Sequence, residues 1–438
     1  MAEDNRGTDK KAEAEIETRE KEEKVSPIEL AWMTAERLNQ IYSFITFEAA
    51  NTDRAETYYR SDDGTYHPAD FLPGAAEITA NQIASEIISE GKVPPEVNSY
   101  VVNEAVGMVK RSTYVPRSIV NEDPNCIHVK NGVLYFYQTP KTVKEEVMNR
   151  LKTRASDPRV WDFMIKLENW KPEKVAKKWA PHVEEDVPVS TEEIVSIAYD
   201  MRMKGKPWPE DKKIFLTGIP VKYDPLKDCP RFKKFLQEVL PDEDDRKTVQ
   251  EIFGAFLYRR PVDKAFFFLG EGANGKSTLI KVMKAFLGSW NITSRSLQDL
   301  TENRFAPADL YGKLANLYYD MPSQGIRYTG NFKALTSGDA MTVEKKFRDS
   351  FTFANFAKLV FSANQMPPAS DKTDAYFRRW IVITFPFQFL TKEEIAERIK
   401  NGEDLENVKE RDPNVIDGIT TEEELSGILN WALEGLHR

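Results

Sequence analysis

The sequence predicts an α/β protein with a parallel-sheet, phosphate-binding core, preceded by a mixed and helical region and followed by a short helical segment. Three observations carry this. The run Gly270-Glu271-Gly272-Ala273-Asn274-Gly275-Lys276-Ser277-Thr278 fits G-x-x-x-x-G-K-[ST]. It follows the apolar stretch Ala265–Leu269, which reads as a buried strand, and residues 278–287 after it have helical spacing. Further β-type runs at 314–320, 359–364 and 381–385 supply the remaining strands. Strand, glycine loop and helix together let consecutive backbone N–H groups converge on phosphate oxygens at a helix N-terminus. Lys276 then reaches the outer phosphates from an exposed position in the anion cradle, and Ser277 holds Mg²⁺.

At 438 residues the chain has room for two or three domains. Residues 1–25 alternate acidic and basic groups without an apolar stripe and read as a disordered tail. Residues 26–138 read as a mixed N-terminal domain. It opens with a helix whose apolar positions are Leu30, Trp32, Met33, Leu38, Ile41, Phe44 and Ile45, and it contains a hairpin at 127–136 turning at Asn131-Gly132. Residues 139–212 form a charged helical insert carrying Trp161, Trp170 and Trp179; these suit either the packing of the insert, the reading preferred here, or a platform for stacking bases. Residues 213–262 read as a short strand (214–216) and a helical collar. One helix presents Phe232, Phe235, Leu236, Val239 and Leu240 on one face; the next begins at the acidic run from Asp242 and carries Ile252, Phe253, Phe256 and Leu257. The nucleotide domain spans 263–390. Helices fill 391–438, with Leu425, Ile428, Leu429, Leu433 and Leu436 on one face.

Composition narrows the classes. No run of about eighteen apolar residues is present and the N-terminus lacks a signal-peptide core, so a cytoplasmic protein with no membrane partner is expected. The two cysteines and four histidines are scattered, which implies neither a disulfide scaffold nor a zinc site. A net charge of −9 argues against a surface coated with cations but leaves room for a cationic channel.

Beyond the glycine loop, further features recur in order. The run 314–320 ends in Asp320, where a carboxylate at a strand's C-terminal edge suits Mg²⁺ and its waters. Residues 341–353 alternate like a hairpin and carry Lys345, Lys346, Phe347 and Arg348. The strand 359–363 ends in Asn364, and Arg378-Arg379-Trp380 leads into the last strand.

Together with Lys130-Asn131-Gly132-Val133-Leu134 and Thr336-Ser337-Gly338-Asp339, this series resembles the superfamily 3 helicases, ring ATPases of the AAA+ class found in viruses, phages and plasmids. It is most similar to the poxvirus-like and phage- or plasmid-type primase-helicases, from about Asn125 onward apart from the 139–212 segment. The resemblance implies ATP and Mg²⁺ as cofactors, bound by residues 270 to 278. It implies catalytic roles for Lys276, Asp320, Asn364 as polar sensor, and Arg379 as a finger acting on a neighbouring subunit, with Arg378 as the alternative. Ser277 and Asp320 would serve the metal. Lys345, Lys346, Phe347 and Arg348 would contact DNA, and the residues alone do not rank these four. No second acid adjoins Asp320, which leaves the general base open among Asp320, Glu271 and Glu344.

The implied activity is an ATP-driven replicative helicase that translocates on single-stranded or forked DNA for a mobile genetic element. Its implied assembly is a homo-oligomeric ring, hexameric by resemblance. A nucleotide-gated loader that does not unwind DNA and a P-loop small-molecule kinase are the alternatives. Priming and origin recognition would fall to a primase or origin-binding partner, or to segments outside this sequence.

Overall fold

The computed structural model describes residues 26–47, 55–61, 65–69, 83–85, 98–117, 120, 124–136, 214–346 and 348–438. The predicted tail, the tryptophans Trp161, Trp170 and Trp179, and Phe347 lie outside the described residues. Two compact units are distinguished. One comprises the described residues of Met1–Asp62, Tyr66–Val120 and Phe347–Asp349; the other comprises those of Asp63–Thr65, Asn121–Lys346 and Ser350–Arg438.

In the first unit, α1 (Pro27–Ile41) starts at a reciprocal cap. The Glu29 N–H donates to the Ser26 hydroxyl (3.4 Å) and the Ser26 N–H donates to the Glu29 carboxylate (2.7 Å). The apolar spacing predicts a helix continuing through Phe44 and Ile45. It stops at Ile41, because Phe44–Phe47 is buried at every position and forms β1. Four consecutive residues cannot share one helix face, whereas a strand covered on both faces buries them all. After β2 (Thr57–Arg60), β3 (Tyr66–Pro68), α2 (Ser99–Ser112) and β4 (Tyr114–Val115), the sheet has the order β3-β2-β1-β4. The two helices pack through Leu30, Ala31 and Leu38 against Val101, Ala105 and Val109.

The second unit begins with β5 (Cys126–Val129) and β6 (Gly132–Tyr135), the hairpin that the sequence places in the N-terminal domain. That placement is corrected here. β5 pairs in parallel with β7 (Gly218–Ile219), and Ile127, Val129 and Leu134 belong to the second unit's core. The predicted strand 214–216 is also displaced, its ladder forming at 218–219 instead. Asn131 fixes the arrangement: its amide group donates to the Tyr223 carbonyl (2.9 Å) and accepts from the Tyr223 N–H (2.8 Å). Next come α3 (Pro230–Val239) and α4 (Glu243–Leu257), the latter capped by Asp242, which accepts from the Asp244 N–H (2.8 Å). Predicted as a collar, both helices sink Phe232, Phe235, Phe253 and Phe256 into the same core as the main sheet.

That sheet is built from β8 (Ala265–Leu269), β9 (Ile292–Thr293), β10 (Ala315–Tyr318), β13 (Lys358–Ala363) and β14 (Trp380–Thr384). Interleaved are α5 (Lys276–Leu287), α6 (Leu297–Glu302), α7 (Gly330–Ser337), the hairpin β11 (Ala340–Val343) and β12 (Phe351–Ala354), and α8 (Asp374–Phe377). Its order is β14-β8-β13-β10-β9, with every neighbouring pair parallel. Neighbours on both sides explain why Phe266, Phe267 and Phe268, and Leu359, Val360 and Phe361, are all buried without alternation. Past the sheet lie β15 (Gln388–Leu390), α9 (Lys392–Asn401), β16 (Val408–Glu410), α10 (Val415–Ile419) and α11 (Glu422–His437). This segment, expected to be wholly helical, contains a strand: β16 pairs in parallel with β15. α11 crosses α4 at Gly254 and Gly435, where a methyl group on either residue would collide with the other helix's backbone.

One buried cation ties the sheet to the α4 end. Lys358, 1% exposed at the start of β13, donates from Nζ to the carbonyls of Tyr258, Arg260 (2.9 Å) and Phe356 (2.9 Å). Burial, with the nearby Arg259 charge, pushes its pKa down to about 7, while three acceptor-only partners favour the ammonium. Lys358→Met keeps the volume and leaves three carbonyls without their donor. We expect a loss of about 3 kcal/mol of stability, read as a lower urea midpoint with unchanged slope.

Candidate functional site

The C-terminal ends of β8, β13 and β10 open onto one cavity of about 530 Å³. Adjacent parallel strands necessarily deliver their following loops to the same edge, so the glycine loop, Asn364 and Asp320 meet there. Residues 271 to 278 all line the cavity, as do Lys281, Ser362 and Ala363. Gly270, at the end of β8, starts the loop, and its N–H donates to the Ala363 carbonyl (3.4 Å).

The loop's path is dictated by sterics and hydrogen bonds. Gly275 has φ +91°, and a Cβ there would fall 2.6 Å from Val239 Cγ1, so both its conformation and its close approach to α3 require glycine. Ala273 adopts φ +58°, and its carbonyl accepts from the Phe389 N–H (2.7 Å), which clips the loop to β15. Asn274 is 4% exposed; its Oδ1 accepts from the Lys276 N–H (3.4 Å), and its Nδ2 has no partner among the described residues.

Lys276 differs from the sequence expectation of an exposed side chain. It is 6% exposed, with Nζ donating to the carbonyls of Gly270 and Glu271 (2.9 Å). Burial holds its pKa below the usual lysine value, and the nearby Asp320 charge acts in the opposite direction. Asp320 itself is exposed at φ +47°, a left-handed conformation that aspartate tolerates, and its N–H donates to the Ser362 hydroxyl (3.3 Å). Ser277 and Asn364 are also exposed, on the cavity lining. The oxygens of Ser277 and Asp320 thus face the same space, a donor set that suits a hard divalent cation. Of the base candidates, Glu271 and Asp320 line the cavity. Glu344 does not; it lies 3.6 Å from Arg304 Nε.

The remaining wall was not legible as part of a site. Phe235 and Val239 of α3, Phe389 of β15, and Val415 and Ile416 of α10 form an apolar side, with Glu238, Glu410, Arg411 and Asp412 at its rim. Only folding brings these scattered stretches together. Ser362 did carry a signal, lying within the Phe361-Ser362-Ala363-Asn364 run.

Arg378 and Arg379 sit at the opposite edge of the sheet. The Ala265 N–H donates to the Arg379 carbonyl (2.7 Å), placing the pair beside the first residue of β8, one strand length or about 16 Å from the loop. Arg378 is exposed. Arg379 is half-buried and donates from Nε to the Thr336 hydroxyl (2.9 Å) and from Nη1 to the Ala375 carbonyl.

The hairpin forms where alternation predicts it, with Thr342 facing Thr352 and Val343 facing Phe351. Its apolar face sets Phe351 and Phe353 against Tyr311 at 5.1 and 5.9 Å. Regular pairing ends at Val343, and 344–346 and 348–350 lie outside the strands rather than continuing the alternation. Lys345 lies over the Tyr311 and Phe351 rings (6.0 and 5.6 Å), and Lys346 is exposed. Arg348 groups with the first unit, its Nη1 donating to the Ala55 carbonyl (3.0 Å).

Among known proteins, residues 268–379 match the family described as "Family of unknown function (DUF5906)". The chain is 27% identical over 174 residues to the "Putative helicase L207/L206" of Acanthamoeba polyphaga mimivirus, covering 38% of this chain and 18% of that protein. It is 28% identical over 180 residues to the "Putative helicase 121R" of Invertebrate iridescent virus 3, covering 37% and 18%. The chain therefore spans less than a fifth of the length of these relatives. Among solved structures, the NrS-1 C terminal region (305-718) superposes over 93% of this chain and 75% of its own, at 15% identity and a TM-score of 0.40. Among the described residues, no helix is long and apolar enough to cross a membrane.

Gly275→Ala tests the loop geometry directly. The added methyl meets Val239 at a positive φ, so inorganic triphosphate, titrated by calorimetry, should bind at least tenfold more weakly while far-UV circular dichroism is retained. Unchanged affinity would refute the cradle.

Proposed function

We propose that this chain is an ATP-hydrolysing motor of the AAA+ class, a superfamily 3 helicase that translocates on single-stranded DNA during replication of a virus, phage or plasmid. The observation that carries the reading is the polarity of the parallel sheet. One edge gathers a phosphate loop, a polar amide and a carboxylate; the other carries an exposed arginine that cannot reach them. Half of a composite site at each edge is what a head-to-tail ring needs, since each subunit's arginine then serves its neighbour. The similarity to two viral proteins named as helicases, over a stretch of about 174 to 180 residues, supports the same reading. So does a hairpin presenting Lys346 outside the catalytic sheet.

In this proposal ATP lies with its phosphates along residues 270 to 278 and its base toward Phe235, Val239, Phe389, Val415 and Ile416. The unpartnered Asn274 Nδ2 is a buried donor awaiting an acceptor on that lining. Lys276 passes its ammonium from the loop carbonyls to the phosphate oxygens. Mg²⁺, held by Ser277 and Asp320, would neutralise charge across the outer phosphates. Asn364 orients the attacking water, and Asp320 or Glu271 takes its proton. Arg378 is the better-placed finger because Arg379 is tied within its own chain.

Two expectations follow from this division of labour. Lys276→Met should abolish ATP turnover without unfolding, whereas Arg378→Ala should lower kcat by about 10³ and leave KM for ATP near normal. Mixing the two inactive proteins should restore turnover at interfaces that pair an intact loop with an intact arginine; no recovery, with both variants folded, counts against the shared site. Lys346→Ala should retain basal turnover, lose its stimulation by single-stranded DNA, and reduce the salt slope of DNA affinity by about one. An unaltered slope together with full stimulation would place the DNA contact elsewhere.

A further inference from the structure

We propose that α7 is a positioning strut that fixes the arginine segment to the base of the hairpin, so that displacing the hairpin displaces the arginines. The inference rests on the motor reading above and adds how the two ends of the motor communicate.

The helix holds the arginine segment at three points. The Thr336 hydroxyl accepts from Arg379 Nε (2.9 Å). Lys333 Nζ pairs with the Asp371 carboxylate (2.5 Å), which also accepts from the hydroxyls of Thr329 (2.7 Å) and Thr373 (2.7 Å) and from the Thr373 N–H (2.9 Å). Those four donors hold the Asp371 carboxyl well below the usual range, so the turn leading into α8 stays anchored at neutral pH. Phe332 stacks on Trp380 at 4.8 Å and 17° and meets Tyr376 at 5.5 Å, gripping residues on both sides of the arginine pair.

The C-terminal end of α7, where Thr336 holds Arg379, also leads into the hairpin. Its last residue, Ser337, is followed by Gly338 and Asp339 and then by β11. The returning strand is fastened there too: one residue past β12, the Asn355 side chain donates to the Leu335 carbonyl (2.8 Å) and the Ala357 carbonyl (3.0 Å) and accepts from the Ala357 N–H (3.1 Å). Asn355 is 2% exposed, so these bonds are not shared with solvent. Both hairpin strands therefore root on the helix that grips the arginines. A load on the hairpin has a short, hydrogen-bonded route to Arg379 and its neighbour Arg378. Neither Thr336 nor Lys333 lines the nucleotide cavity, so neither touches a nucleotide bound there.

The test compares Thr336→Val, which keeps shape and removes the hydroxyl, with Thr336→Ser, which restores it. Steady-state turnover is measured with and without single-stranded DNA. Loss of one charge-assisted hydrogen bond should lower the DNA-stimulated kcat of T336V about tenfold with KM for ATP unchanged, and T336S should recover most of it. Lys333→Met should produce the same split through the second anchor. T336V with wild-type stimulation overturns the strut, and so does an equal loss in T336V and T336S or a rise in KM matching the fall in kcat. Absence of any DNA stimulation in the wild type would instead remove the motor reading on which the inference stands.

Discussion

The direction of five parallel strands is the constraint on which the rest of the second unit depends. With β8 held between β13 and β14 in a fixed register, its C-terminal end and theirs share one edge, and their starts share the other. A glycine loop, a polar amide and an acid are thereby collected without any of them being adjacent in sequence. The same geometry separates the arginines from that collection by the length of a strand. Reversing one strand would mix the two groups; a uniformly parallel sheet keeps them apart.

Two lysines illustrate how the unit tolerates buried charge. Lys276 and Lys358 both lie below 10% exposure, and both direct their ammonium groups at main-chain carbonyls rather than carboxylates. Carbonyl partners have no charge of their own to desolvate but return less attraction than a carboxylate, and two or three of them converge on each ammonium. They also leave different options. Lys358 has three carbonyls and is a fixed tie. Lys276 has two carbonyls on a loop beside an open cavity, and an anion arriving there can compete for it.

The strand, loop and helix at 265–287 were legible because their signal is local: an apolar run, glycines at set spacing and a helical period lie next to one another. The strands at 315, 358 and 380 were legible for the same reason. What escaped the sequence depended on distant partners. The 126–135 hairpin was placed in the wrong unit because the strand that claims it, Gly218–Ile219, is two residues long and some ninety positions away. The end of α1 was missed because Phe44 and Ile45 also fit a helical period, and only burial of Thr46 and Phe47 beside them distinguishes a strand. The apolar wall of the cavity escaped because α3 and α10 carry no motif; proximity alone makes them a wall. Lys276 was expected in solvent because a pattern specifies residue type and order but says nothing of depth.

The clip between Phe389 and Ala273 has an energetic meaning beyond shape. A glycine-rich loop left to itself samples many conformations, and a ligand that must order it loses affinity in doing so. Here a main-chain hydrogen bond from β15 holds the Ala273 carbonyl, and Gly275 packs closely against Val239. Much of the ordering entropy is thereby spent when the chain folds, before any ligand could enter the cavity. Because β15 is itself paired with β16, the readiness of the loop is underwritten by residues more than a hundred positions further along the chain.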